Sequence, residues 1–512
     1  MLAITRVQMI LNQNASVPVN RLPPEILAHI FSFVQPYSQG PPFPLPTTYN
    51  EWMKVTHVCQ HWRTTALSFP RLWSHIHVRK LLDRKIAVKN IKRSAQSPLN
   101  VYCTLLAPPL ADEVNILSLV AEQMHRLQEL HIHWTIAHET SLWDLIVPPS
   151  PAPNLEVLSL IGSWDERVSN LTLPPFFQNI TPRLKKLTFT RISSWPHNDF
   201  SGLTHLSLFD QRDGRVSLPK FLEILKSSPG LEELLLNHAG PDENSIIMHQ
   251  ERTLALVPLN CLRRIEIGDW TIAARSIPIF LSHLMLPKDV TLCAWGESLG
   301  DVSSMLNGDT FHRIHRVVII GEGLLAQMIG IKDSTLYLHH MESSSQYESL
   351  FSGMLLSYVQ EMVFCPSLLS MPSSSQLQHL LNGVPSLEKL TLSGIAWGRF
   401  HRFLPALGVY DDSDEIVVPN LHSLTLLYHK PGDQFDTLPI ILLLNARAEI
   451  GHPIENLNIE GCSLRQQEQL SEFAVNIRSV HYGPASRKIR LEEAILDEMW
   501  SKITLVGPVL HA

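Results

Sequence analysis

The chain is poor in the features that usually announce a chemistry. Its six cysteines, Cys59, Cys103, Cys261, Cys293, Cys365 and Cys462, include no C-x-x-C pair, and the two nearest stand 32 residues apart. Scattered single thiols in 512 residues exclude a disulfide framework and a cysteine zinc knuckle, and read as reduced, mostly buried side chains. Lysine and arginine number 41 against 48 acidic residues, a formal net charge of −7. That balance excludes wholesale binding to nucleic acid or to an anionic membrane. No apolar run approaches the roughly 20 residues of a membrane span; the strongest, PIILLL at 439–444, suits a core helix. The first 20 residues lack an apolar stretch between a basic flank and a small-residue cleavage site, so no signal peptide is expected. G-x-S-x-G, Walker A and G-x-G-x-x-G are all missing. The expectation is an intracellular protein of cytoplasm, nucleus or both, with no cofactor and no catalytic residue.

Histidine is plentiful, at 25 residues, and invites metal sites that its spacing does not complete. His131 and His133 share one side of a strand, but no third ligand stands at ligand spacing. His57, Cys59 and His61 crowd together in sequence, yet on a helix Cys59 sits about 200° round from His57. Cys59 therefore reads as a small apolar contact, and no metal is expected. The acidic run DDSDE at 411–415 reads as a solvated loop.

What the chain does have begins with RLPPEILAHIFSFV at 21–34. Leu22, Ile26, Leu27, Ile30, Phe31, Phe33 and Val34 fall mostly on one broad helical face. Pro23 and Pro24 suit a first turn, and Glu25 there complements the helix dipole. A loop too rich in proline and glycine for regular structure follows. A second helical pattern then runs over 51–67, with Val55, Val58, Cys59, Trp62 and Ala66 on one face. Phe69-Pro70 stops it, and PRLW brings in Trp73. So few short helices make a poor core of their own. Their apolar face either caps the rest of the chain or enters a partner's groove.

LPPEILAHIF, VTHVCQHWRTTAL and PRLWSHI, in that order, resemble an F-box of the long-loop kind common in fungal proteins, spanning residues 20–77. The resemblance implies docking into a small Skp-type linker subunit, which joins such proteins to a cullin and its ubiquitin-transfer machinery. Leu22, Pro23, Ile26, Leu27, Ile30 and Phe31 match the first contact segment of that family, and Val58, Cys59 and Trp62 the second. Trp73 is expected inside the module.

From about residue 96 one phrase recurs, apolar-x-x-apolar-x-apolar. It is clear in LQELHI at Leu127, LEVLSL at Leu155, LKKLTF at Leu184, LTHLSL at Leu203, LEELLL at Leu231, LRRIEI at Leu262, LEKLTL at Leu387, LHSLTL at Leu421, IENLNI at Ile454 and IRSVHY at Ile477. Weaker copies fill the gap at Pro287, Ile314, Asp333 and Val359. Successive starts lie about 27 residues apart on average, a leucine-rich-repeat period. In a strand the alternate apolar residues of each phrase point inward together. Helical stretches such as LPKFLEILK, SQLQHLLN and LRQQEQLSEF cover that layer, and each unit needs its neighbours to bury its face. The array resembles the degenerate leucine-rich repeats found behind an F-box. The asparagine or cysteine such repeats carry two residues after the strand is mostly replaced, by Ser163, Gln211 and Ala239, while Cys462 fits; uneven curvature is expected.

The fold class is therefore α/β: a short helical F-box module, then a leucine-rich-repeat solenoid with a curved parallel sheet and covering helices. The layout is a flexible arm over 1–19, the F-box over 20–77, a linker helix over 78–96, the solenoid over 97–486, and a cap helix with tail over 487–512. The outward strand residues form a candidate surface for a protein substrate: Glu129, His131, His133, Lys186, His205, Phe209, Arg264 and Tyr337. Their mixed signs form no basic stripe, which again excludes nucleic acid. The expected function is substrate recognition in a Skp–cullin–F-box ubiquitin ligase, without catalysis. The alternative is a repeat scaffold whose F-box-like helices serve only as a cap.

Overall fold

The computed structural model describes residues 13–14, 16–35, 49–78, 81–105, 118–134, 150–162, 173–192, 194–211, 215–248, 254–269, 276–287, 290–296, 314–320, 327–332, 335–339, 356–365, 374–393, 404–407, 416–427, 437–460, 464–473 and 479–483. The acidic run 411–415, the cap and tail 487–512, most of the arm 1–19, most of the proline-rich loop, Ser163 and Cys462 lie outside the described residues. The chain divides into two compact units. One is built on Met1–Val216 and Glu223–Leu231, the other on Ser217–Leu222 and Glu232–Leu505. No helix among the described residues is long and apolar enough to cross a membrane.

The first unit opens with helix α1 (Pro24–Phe33). Pro23 precedes it in extended geometry, φ −54° and ψ 145°, and its carbonyl accepts the Leu27 N–H at 3.0 Å. Pro24 in the first turn loses no hydrogen bond by lacking an N–H. The single helix expected over 51–67 is two elements: a 3₁₀ helix (Tyr49–His57) and α2 (Gln60–Ser68). Cys59 separates them, extended at φ −156° and ψ 171°. The preceding Val55-Thr56-His57-Val58 is weak helix former, three of its four residues being β-branched. A short 3₁₀ turn (Pro70–Trp73) closes the helical region.

The parallel sheet begins earlier than the repeated phrase. Strand β1 (His75–Val78) pairs in parallel with β2 (Leu99–Leu105), and the chain between them forms α3 (Leu81–Arg93), packed on β1. Residues expected as a linker helix are thus the crossover of a βαβ unit. β3 (Leu127–Trp134), β4 (Val157–Ile161), β5 (Lys186–Thr190) and β6 (His205–Phe209) follow in chain order, all parallel. The register aligns two inward rows, Ile76-Val101-Leu130-Leu158-Leu187-Leu206 and Val78-Cys103-Ile132-Leu160-Phe189-Leu208. Every member is buried. Cutting one such leucine to alanine typically costs about 2–5 kcal/mol. At the position where asparagine was looked for, Gln211 is buried and its amide donates to the Ile192 carbonyl at 2.8 Å. The longer amide does the bridging there.

In the second unit, β7 (Glu233–Asn237), β9 (Arg264–Asp269) and β11 (Thr291–Gly296) are parallel neighbours, beside a separate pair of β8 (Val257–Pro258) and β10 (Leu284–Met285). Chain order then fails. β12 (Arg316–Ile320) lies between β14 (Thr335–His339) and β15 (Glu361–Cys365). β13 (Gln327–Lys332), which carries no repeat phrase, runs antiparallel to both β11 and β14. The strands of the phrases at Ile314 and Asp333 are therefore parallel neighbours in reversed order, and the β13–β14 hairpin stands between β11 and β12. β16 (Lys389–Ser393), β17 (Ser423–Leu427), β18 (Asn456–Glu460) and β19 (Ser479–Gly483) resume the parallel order. Helices Ser374–Asn382, Leu438–Glu449 and Leu464–Phe473 connect them, as the sequence pattern anticipates. Arg447 is wholly buried, its guanidinium donating to the carbonyls of Leu407, Val417, Val418, Leu421 and His452. Burial pulls its pKa down to about 10.

Candidate interaction surfaces

Helix α1 is apolar on two sides, and the structure separates them. Leu27, Ala28 and Phe31 turn inward against Trp52, Val55, Ala66, Leu72 and Trp73. Trp73 is the centre of this core: its indole N–H donates to the Ala66 carbonyl at 2.8 Å, its ring meets Trp52 at 5.0 Å, and the Arg93 guanidinium lies 4.4 Å from its centroid. Trp62 is half-buried, 5.0 Å from the Phe31 ring, and its N–H donates to the Asn20 side chain at 2.5 Å.

Of the nine residues matched to partner contact, Ile26, Ile30 and Val58 are exposed at 48%, 40% and 59%. Pro23 is exposed, while Leu22, Cys59 and Trp62 are half-buried. Leu27 and Phe31 belong to the core instead. The spacing places them on an apolar helix but does not say which side of it meets the chain. Two exposed apolar residues complete the outer side, Phe33 at 70% and Val34 at 52%. Sequence reasoning saw them as part of the face and left them out of the contact set; their signal was the narrowness of the polar side of α1, confined to Glu25, His29 and Ser32.

The outward rows of the first ladder behave in the opposite way. His77, Tyr102 and His131 occupy matching positions on β1, β2 and β3. They form a column of rings, 4.5 Å apart and 17° from parallel in the first pair, 4.4 Å and 1° in the second. All three are buried although they point away from the apolar rows. Strands about 4.8 Å apart force same-row side chains into contact. The Tyr102 hydroxyl donates to Glu129 Oε2 at 2.8 Å, and His131 Nε2 lies 3.4 Å from the same oxygen. Burial alone raises the Glu129 carboxyl, but the hydrogen bonds from His131 and Tyr102 and the nearby imidazole charges hold it below the usual glutamate value. Burial pulls His77 down to about 2, with repulsion from His75 and His131 adding to it. His75 and His133 are lowered for the same first reason; Arg71 adds to it at His75 against the pull of Glu129, and Arg191 adds to it at His133.

Glu129, His131 and His133 thus come together with His75, His77 and Tyr102, three residues that sequence reasoning missed. The available signal was a repeated tripeptide, HIH at 75–77 and again at 131–133. Lys186 is exposed and His205 half-buried on the next rungs, and Phe209 is buried. In the second unit Arg264 is tied to Glu266, on the same strand, by an ion pair and a hydrogen bond. Burial nevertheless raises Glu266 to about 7, outweighing Arg264, with Glu233 adding repulsion. Across the register from Glu266, burial raises the Cys293 thiol. Tyr337 is buried on β14. Among the described residues no group of three or more His, Cys, Asp or Glu converges to hold a metal ion.

Residues 19–79 match the F-box-like family model, the segment that contains α1, α2 and the core around Trp73. No curated protein matches the chain. The match supports an F-box protein over this segment.

Proposed function

We propose that the chain is the substrate-recognition subunit of a Skp–cullin–F-box ubiquitin ligase. One observation carries the reading: the F-box-like segment closes a core of its own and still leaves Ile26, Ile30, Phe33, Val34 and Val58 exposed. Exposed apolar side chains beside a finished core fit a partner's groove, here that of a small Skp-type linker joined to a cullin. The parallel strands, with phrases stepped by about 27 residues, are read as a leucine-rich-repeat solenoid whose outward rows receive a protein substrate. The chain contributes proximity and orientation to ubiquitin transfer, with no catalytic group or cofactor of its own.

The test is co-purification with a Skp-type linker, comparing wild type with Ile26→Asp/Val58→Asp. Each anchor is worth about 2 kcal/mol or more in interfaces of this kind, so the pair should lower affinity by about 700-fold. Both side chains are exposed, so the melting temperature should hold. Undiminished association overturns the docking assignment. The cap reading draws on one fact, that β1 leaves the helical region and becomes a rung of the ladder. It predicts no linker association even for wild type. Deleting the module is a poor discriminator, because β1 would go with it.

A further inference from the structure

Between α1 and the starts of β1, β2 and β3 lies a cleft of about 780 Å³, wholly within the first unit. The geometry points to this cleft as the seat for a basic side chain of a polypeptide partner, held by Glu129 Oε1. The inference rests on the substrate-receptor reading and deepens it by naming what part of a substrate enters.

Glu129 is built to present one oxygen. Its Oε2 takes the Tyr102 hydroxyl and lies within reach of the His131 ring. Tyr102 is clamped between the His77 and His131 rings. Oε1 carries no hydrogen bond from any described residue, and Glu129 lines the cleft. A carboxylate fixed in direction by a stacked column is preorganised, so a ligand meets it with little ordering left to do. Such an oxygen accepts from an ammonium or guanidinium in a charge-assisted bond.

The sign of the ligand follows from the other charges. Glu25 lines the α1 side, and Arg71 is the one cation that is always charged in the lining. Arg71 is exposed, where solvent and salt screen it, whereas the recessed Glu129 is screened less. The two line the same cleft without forming an ion pair. His75 and His77, also in the lining, are held neutral by burial at ordinary pH. The anion therefore decides.

The polypeptide character follows from the walls. Ser32, Ser74, Asn100 and Gln128 bring hydroxyl and amide groups to the cleft, which serve both N–H and C=O of an extended backbone. The volume admits a few residues, in the range of a pocket for a compact ligand. Its α1 wall belongs to the helix whose other side carries Ile26 and Ile30, so a segment seated there lies close to the proposed linker contact.

The full chain, wild type and Glu129→Gln, is incubated with an array of random nonapeptides that includes phosphoserine, and separately with spermine. Captured peptides should be enriched at least threefold in arginine or lysine at one position. Glu129→Gln keeps the acceptor for Tyr102 and should abolish that enrichment at unchanged melting temperature. Glu129→Lys, as a second variant, should turn the preference toward acidic peptides. Several outcomes overturn the inference: no captured peptide, enrichment in phosphoserine or acid, basic enrichment that survives Glu129→Gln, or spermine binding where no peptide binds. Co-purification with a Skp-type linker, run on the same proteins, separates the two readings: Ile26→Asp/Val58→Asp should lose the linker and keep peptide selection, and Glu129→Gln should do the reverse.

Discussion

The helical module and the first ladder solve opposite problems with the same kind of side chain arrangement. In the module, apolar residues are left outside: Phe33 is 70% exposed on a helix whose inner side is already packed. In the ladder, polar residues are taken inside: His77, His131 and Ser159 are buried on the outward rows. An exposed apolar residue with no place in its own core is surplus for the monomer, and a buried polar one is tolerated only where neighbours satisfy it. The Tyr102–Glu129–His131 cluster supplies one to His131 Nε2, whereas Ser159 Oγ finds none among the described residues. The difference separates apolar surface left over from a finished core from polar surface made rigid by crowding.

The largest effect should come from breaking the module's core. Trp73→Ala removes the centre of the cluster and its hydrogen bond to Ala66, and should cost about 3–5 kcal/mol. Denaturant unfolding followed by tryptophan fluorescence reads it; a midpoint that does not move means the module has no core of its own.

A smaller effect sharpens the contrast through pH. In the first ladder His75, His77 and His133 have folded values below their unfolded ones. The unfolded chain then takes protons first, so their contribution is whole above about pH 6.5 and is lost as pH falls. Glu266 is raised to about 7, so its contribution is present below about pH 4.5 and is lost as pH rises through 7. Lowering pH from 7.5 to 5 should weaken hydrogen-exchange protection in β2 and strengthen it in β9, each by about 1–3 kcal/mol. His77→Phe should blunt the first change and Glu266→Gln the second. Changes of the same sign in both strands refute these burial assignments.

The smallest effect tests the surplus directly. Phe33→Ser should change stability by no more than about 0.5 kcal/mol, as for an ordinary surface site, while weakening linker capture. A loss well above that in thermal unfolding would mean that the chain itself covers Phe33.

Much of this was readable in advance. Two prolines and Glu25 mark the start of α1, and the alternating phrases mark β3 to β7 and β15 to β19, because both signals are local. β13 was not readable, since QMIGIK has no repeat phrase; its hairpin with β14 is local, but the antiparallel pairing with β11 that fixes its place joins distant segments. Nor was the break at Cys59: helical spacing continues through VTHVC even where β-branched residues weaken the helix. Leu27 and Phe31 were matched to partner contact through the F-box resemblance, and the helical period, which identifies a stripe without naming what covers it, could not place them in the core.

The sequence by itself determined the elements that depend on near neighbours: a helix opened by Pro23-Pro24, strands with alternating apolar residues, and the absence of a metal-ligand spacing or nucleotide loop. Only the tertiary structure decided which side of α1 is core, where the parallel order is interrupted, and which outward residues form a clamp. His77, Tyr102 and Glu129 are brought together by register between strands whose residues lie far apart in the chain. Register is a property of paired backbones and shared burial, so no single segment contains it.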